Sequence, residues 1–364
     1  MKALVHIGTG KTGSTSIQSY MYENRMRLQA QGIYYPQSPG ARNHRRLPAI
    51  VQKEGKADNY FRDQRLIDPA ARQVARTAWW KDLCDEITAV RQCGRCIISA
   101  EHLSQLDMEE TQDLHARLTS LFEEVRILVY LRDPVDYAIS MYDTALKIGS
   151  TAAAPAPPVA GGPTDYARIL KRWADAFGQE NLTVRLFDRA ELTGGDILQD
   201  FADAAGINTQ DFVTVNIHNP SLGRLGQQLL LRVNKRLPRY RRDGSPNPVR
   251  GDIVGLFERF LVGGSRLAPD QKMIAAYNAT FASSNEWVRQ TFFPDRPTLF
   301  RERTAAPAIA DMFNEDDLDR LADLISESWR QGREAQMDRK RAERFLPNGQ
   351  GKSFADRASR RNPK

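Results

Sequence analysis

A short run near the start of the chain carries the groups needed to hold an anion. Gly8-Thr9-Gly10-Lys11-Thr12-Gly13-Ser14-Thr15-Ser16 sets glycines, hydroxyls and one lysine side by side. Glycines let a backbone approach a phosphate closely, loop and helix N–H groups point at it, and the helix dipole favours negative charge. Lys11 adds a point charge where a bridging oxygen would sit. The pattern departs from the nucleoside-triphosphatase loop G-x-x-x-x-G-K-[ST], because the position five before Gly10 is Val5, inside the preceding apolar run. No acidic pair on a second strand stands ready for magnesium either. The run therefore predicts a phosphate cradle without triphosphate-and-metal equipment. The plain alternative is a strand–helix turn with incidental glycines.

A second set of residues lies at Arg132-Asp133-Pro134 and Ser140. Pro134 suits the first turn of a helix and Asp133 the N-cap before it. Ser140 then falls about two turns in, on the same face as Tyr137 and Thr144. An arginine fork and a serine hydroxyl converging in this way suit a second phosphate. The alternative is an arginine paired with Asp133 or Asp136 for structure.

The elements that must position these groups read as alternating strands and helices. Lys2 to Ile7, Ile33 to Pro36, Cys96 to Ala100, Val125 to Leu131 and Asn181 to Phe187 are strand-like. Helical spacing follows in Ile17, Tyr20, Met21 and Leu28, over 75–93 with Trp79, Leu83, Ile87 and Val90, and over 108–122, 166–177 and 195–206. Residues 37–75 read as polar and irregular. The alternation predicts an α/β fold: a P-loop-like doubly wound parallel sheet flanked by helices. Both motifs then sit at the carboxyl ends of strands, where open α/β sheets bind ligands. Glu101 and His102 follow a third strand to the same edge. Beyond residue 220 the pattern is mainly helical (225–237, 253–260, 270–280 and 316–329).

Taken together, the motifs resemble those of the sulfotransferase superfamily, which uses phosphoadenosine phosphosulfate (PAPS), in the manner of its bacterial, carbohydrate-type members. Lys11-Thr12-Gly13-Ser14-Thr15 matches that family's K-[TS]-G-[ST]-[ST] core. Arg132-Asp133-Pro134 with Ser140 matches its R-D-P-x-x-x-x-x-S segment. The resemblance covers roughly residues 1–220 and departs at Gly10, where many bacterial relatives carry a bulkier residue. It implies that the cradle of Gly10, Lys11, Thr12, Gly13, Ser14, Thr15 and Ser16 holds the 5′-phosphosulfate, with Lys11 at the bridging oxygen. It implies that Arg132 and Ser140 hold the 3′-phosphate and that no metal is required. Relatives use a glutamate or histidine as general base. Glu101 is the first candidate, His44 the second and His102 the third. The implied activity is sulfuryl transfer to a hydroxyl or amine of a carbohydrate or glycolipid. A small-molecule or nucleotide kinase and a non-catalytic nucleotide- or glycan-binding relative are the alternatives.

Composition bounds the rest. With 364 residues, 41% of them hydrophobic, the chain supports a sizeable core. It is expected to form one α/β domain over 1–335, with 149–163 as a flexible Ala/Pro/Gly loop and 220–335 as the helical part, followed by a basic, disordered tail over 336–364. The net charge is +7, and much of it lies in that tail, so it says little about the site. No nucleic-acid-binding module is visible. Cys93 and Cys96 form one C-x-x-C, too few for a four-ligand zinc site. No signal peptide or membrane-spanning run appears, so a cytoplasmic protein is expected.

Overall fold

A computed structural model describes residues 1–56, 59–215, 221–243, 245–265, 267–303, 305 and 315–344. Its strands are β1 (Lys2–His6), β2 (Ile33–Tyr34), β3 (Arg95–Ser99), β4 (Glu124–Leu131) and β5 (Leu182–Leu186). They form one parallel sheet in the order β2-β3-β1-β4-β5. The helices are α1 (Ser14–Glu23), α2 (Arg25–Ala30), α3 (Arg46–Val51), α4 (Asn59–Asp63), α5 (Pro69–Ala89), α6 (Met108–Leu121), α7 (Pro134–Lys147), α8 (Tyr166–Phe177), α9 (Ile197–Ala205), α10 (Arg224–Arg236), α11 (Ile253–Phe260), α12 (Gln271–Phe292) and α13 (Glu315–Arg344).

The strands are apolar on both faces, so helices must cover both. Val5, Ile7, Ile98, Ile127, Val129 and Leu131 face one side and pack with Leu47 of α3, Leu83 of α5, Leu118 of α6 and Trp173 of α8. Ile97, Leu128 and Tyr130 face the other, against Ile17 and Met21 of α1, Leu28 of α2 and Phe201 of α9. Burying each such side chain contributes roughly 1.5–3 kcal/mol. This is the doubly wound α/β fold read from the alternation of elements.

By packing, the chain divides into two compact units. One comprises Met1–Ala145, Ala152–Asn219 and Leu267–Ala308; the other comprises Leu146–Thr151, Pro220–Arg266 and Ile309–Lys364. The sequence reading of one domain over 1–335 does not separate them. Among its described residues the second unit is mainly helical, as expected of the chain beyond residue 220. Within it the buried Asn234 amide donates to the carbonyls of Leu146 (2.8 Å) and Ser150 (2.7 Å) and accepts from Arg250 (2.7 Å).

Three elements differ from the sequence reading. The segment expected to be irregular over 37–75 contains α3, α4 and the start of α5, because the short apolar run Leu47 to Val51 is wholly buried. The first helix breaks at Asn24. That side chain is buried and turns back to the Tyr20 carbonyl (3.0 Å) while pairing with both backbone groups of Val213, the local competition that disfavours asparagine inside helices. Residues 336–344, read as the opening of a tail, continue α13; pairs such as Arg330–Glu334, four residues apart at 3.0 Å, support an exposed helix. The tail beyond 344 lies outside the described residues. Residues 149–163 are irregular, and the Ala156 carbonyl accepts from Tyr277 Oη at 2.8 Å.

The sheet is tied to α9 by a polar network. Asp200 is fully buried and accepts from Tyr130 Oη (2.6 Å), Arg185 Nε (2.6 Å) and the Thr193 N–H (3.0 Å). Burial alone would raise its pKa, but the hydrogen bonds from Arg185 and Tyr130 prevail and hold it low. Asp200→Ala is expected to cost about 2–4 kcal/mol in urea unfolding, since Tyr130 and Arg185 lose their partner. A depressed native pKa gives stability that is present above the unfolded value and lost as pH falls. The gap between wild type and variant should therefore be full at neutral pH and shrink below about pH 4.

Candidate functional site

β3, β1 and β4 are adjacent, and each ends at the same edge of the sheet. Glu101 leaves the end of β3, the Gly8–Gly13 loop the end of β1, and Arg132 the end of β4. Parallel pairing thus gathers three chemically different groups from distant parts of the chain.

The loop holds itself in shape. Thr9 Oγ1 donates to the Tyr130 carbonyl (2.6 Å) and Thr12 Oγ1 to the Thr9 carbonyl (2.7 Å), both buried. The Thr12 hydroxyl, expected to face a ligand, thus spends its proton inside the loop. Lys11 and Gly13 have positive φ of 66° and 77°, which curl the backbone into the first turn of α1. Gly13 is the N-cap of α1, and its carbonyl accepts from the N–H groups of Ser16 (2.9 Å) and Ile17 (3.1 Å). Thr15 is exposed and Ser16 half-buried on that turn. Ser14 Oγ is buried without a hydrogen-bond partner. An orphaned hydroxyl inside a loop at a helix N-terminus is what an anion site leaves for its ligand.

The two motifs are joined directly. Arg132 Nη1 donates to the Lys11 carbonyl at 2.7 Å. Lys11 Nζ donates to Thr144 Oγ1 at 2.9 Å, and Thr144 Oγ1 donates to the Ser140 carbonyl one turn earlier at 3.1 Å. Asp133 caps α7 as the sequence predicts, accepting from the N–H groups of Val135 (2.9 Å) and Asp136 (3.1 Å). Tyr166 Oη donates to the Arg132 carbonyl (2.6 Å), and the Arg132 guanidinium lies 5.4 Å from the centre of the Phe187 ring.

Glu101 is half-buried and its carboxylate faces the loop. A Cβ on Gly10 would lie 3.6 Å from Glu101 Oε1 and 3.3 Å from the Tyr137 ring. Gly10 thus leaves room that Glu101 and Tyr137 fill. Burial pushes the Glu101 carboxyl up, and the nearby Lys11 charge only partly offsets this. Burial, and then the Glu101 charge, push the Tyr137 hydroxyl up, so it stays protonated.

Of the two histidine candidates, His44 does not join this cluster. His44 is wholly buried and packs against Tyr35, with ring centroids 4.4 Å apart and the rings tilted by 39°. Its Nδ1 accepts from the Ser99 N–H (3.0 Å) and its Nε2 donates to the Pro36 carbonyl (2.9 Å). Both ring nitrogens are therefore committed, and burial lowers the pKa to about 4 despite the Pro36 bond. The reading of His44 as a base in a polar loop is corrected: it is a structural residue linking that loop to β3. His102 is in the same 3-10 turn as Glu101. Of the three candidates, Glu101 is the one whose carboxylate is seen to face the loop.

Tyr137, Phe187 and Arg303 were not assigned a role from sequence. Tyr137 had a signal, since it shares the helical face of Ser140 and Thr144. Arg303 had none: it arrives from far along the chain to pair with Asp133 (3.2 Å) and with Asp136. It also borders a cavity of about 300 Å³ lined by Asp133, Pro134, Val135, Tyr277 and the 297–303 segment. Among the described residues no group of His, Cys, Asp and Glu is arranged to hold a metal ion, and no helix is long and apolar enough to cross a membrane. Cys93 and Cys96 are free and buried, the second within β3.

Comparison with known proteins yields structural likenesses to sulfotransferases. A sulfotransferase from Alicyclobacillus acidocaldarius aligns over 79% of this chain and 94% of its own, at 14% identity and a TM-score of 0.44. A sulfotransferase domain from the curacin biosynthetic pathway aligns over 57% of this chain and 75% of its own, at 10% identity and a TM-score of 0.31. By sequence the chain is similar to an uncharacterized protein of Archaeoglobus fulgidus, 34% identical over 74 residues. That match spans 20% of this chain and about a fifth (21%) of the relative's length. No family model matches.

The assignment of His44 as structural has a measurable consequence. His44→Ala should destabilise the fold by about 2–4 kcal/mol in chemical denaturation, because the buried Ser99 N–H and Pro36 carbonyl lose their partners.

Proposed function

We propose that the chain is a PAPS-dependent sulfotransferase, moving a sulfuryl group to a hydroxyl or amine of a carbohydrate or glycolipid acceptor. The observation that carries this reading is the meeting of Lys11, Glu101 and Arg132 at one sheet edge, with Arg132 bonded to the Lys11 backbone. A cation for a leaving oxygen, a carboxylate for an acceptor proton and a guanidinium for a phosphate are the groups that in-line sulfuryl transfer requires.

The residues present fit the donor. The α1 N-terminus with the orphaned Ser14 hydroxyl suits the 5′-phosphosulfate, and Arg132 with Ser140 on α7 suits the 3′-phosphate. PAPS supplies the sulfuryl group and a phosphate leaving group. Lys11 neutralises the charge that builds on the departing bridging oxygen. To do so it exchanges its bond to Thr144 for one to that oxygen. Glu101 takes the proton from the acceptor as the new oxygen–sulfur bond forms and the old one breaks. Its upward-shifted pKa makes it a stronger base than an exposed glutamate, and the Lys11 charge opposes that shift. Tyr137, neutral and facing the same space, is placed to donate to the acceptor or to Glu101.

Glu101→Gln should lower turnover of PAPS on a competent acceptor by about 100-fold or more, with binding of the desulfated nucleotide unchanged. Retained turnover would exclude Glu101 as the base. In the wild type, the acid limb of the kcat/KM profile should lie above the ordinary glutamate range. Activity is lost as pH falls through the raised value, because the base must be ionised. An acid limb at or below the ordinary range would contradict the buried-carboxylate account.

A further inference from the structure

Helix α13 is polarised along its length. Residues 315–329 hold six aspartates and glutamates and one arginine, net −5; residues 330–344 hold six lysines and arginines and three acids, net +3. The first half is attached within the second unit, where Glu327 pairs with Arg259 of α11 (3.2 Å) and Arg320 donates to the Val262 carbonyl (3.2 Å). Every residue over 328–339 is exposed. At 3.6 residues per turn, Ile325, Trp329, Gly332 and Gln336 share one face, opposite the one that carries Arg320 and Glu327. Ile325 is 63% exposed and Trp329 73%, and nothing lies within 4 Å of where a Cβ on Gly332 would stand. Most helical stability comes from packing of a face rather than from propensity, and here that face is open to solvent.

We propose that α13 is a self-association surface, pairing antiparallel with α13 of a second copy of this chain. Charge complementarity selects both the occupant and the direction. Antiparallel pairing sets the acidic half of each helix against the basic half of the other, in two symmetric contacts; parallel pairing would set like charge against like. A uniformly charged surface, anionic or cationic, would be opposed by one half of the helix. A two-fold axis between Arg330 and Gln331, one residue from the helix midpoint, puts Trp329 of each copy over Gly332 of the other. The missing side chain there leaves room for the indole, and Arg333 beside it brings a guanidinium to the ring face. Both copies use the same patch, so the contact closes as a dimer instead of propagating as a fibre. This inference stands apart from the catalytic assignment.

The test is sedimentation velocity of the full chain over a dilution series. The 41.2 kDa chain should behave as a monomer–dimer equilibrium, weakened at high salt. Trp329→Ala should raise the dissociation constant about tenfold or more, although alanine favours the helix itself. Reversing the basic half with Arg333→Glu, Arg339→Glu and Arg344→Glu should leave a monomer. Reversing the acidic half with Asp316→Lys, Asp319→Lys and Asp323→Lys should do the same. An equimolar mixture of the two variants should dimerise again, because acidic then faces basic at both ends of the pair. That mutual rescue separates lost charge from lost folding. A wild type that stays monomeric throughout the series, a dimer that survives either reversal, or a mixture that remains monomeric would overturn the proposal.

Discussion

The hydrogen bond from the Arg132 guanidinium to the Lys11 carbonyl is the contact on which the site depends. Lys11 is held at φ 66°, a left-handed conformation that costs a non-glycine residue roughly 1–2 kcal/mol. A hydrogen bond from a charged donor contributes roughly 1.5–3 kcal/mol, enough to offset that strain. The same bond couples the two motifs, because the residue assigned to one phosphate fixes the backbone of the loop assigned to the other. Arg132 is itself anchored through Tyr166 and by its position at the end of β4, so the sheet ultimately sets the geometry.

Two opposing influences then define the chemistry. Burial raises the Glu101 pKa and the Lys11 charge lowers it, and burial prevails. A carboxylate left wholly to solvent would be a weak base, and one paired tightly to lysine would be weaker still. The half-buried position between Gly10 and Tyr137 avoids both. The absence of a side chain at Gly10 favours this arrangement, since a Cβ there would lie 3.3 Å from the Tyr137 ring and the ring would have to give way slightly.

The five strands, their parallel arrangement and the helices after β1, β4 and β5 were legible in the sequence because the central strands are rich in apolar and β-branched residues and the helices after β4 and β5 carry side-chain caps. Asp133 before Pro134 and Gly206 after α9 are local signals that need no tertiary context. The placement of Lys11, Arg132 and Glu101 at one edge followed from the fold rule for open α/β sheets. What was not legible depends on contacts between distant residues. The polar surroundings of His44 in the chain concealed a ring buried against Tyr35 and bonded to Ser99. Helix α3 is too short for periodicity to reveal, and its stability comes from packing. Arg303 pairs with Asp136 across 167 positions, a separation no local pattern encodes. The break at Asn24 likewise requires Val213.

The most direct measurement is calorimetric titration of the wild type and Arg132→Ala with phosphoadenosine phosphate, ADP and ATP, with and without magnesium. The account predicts metal-independent binding of the 3′-phosphorylated nucleotide at least about tenfold tighter than ADP. That preference should vanish in Arg132→Ala, since a lost charge-assisted contact of roughly 1.5–3 kcal/mol is a factor of ten or more. Equal affinity for ADP and phosphoadenosine phosphate, or a preference for ATP with magnesium, would contradict it.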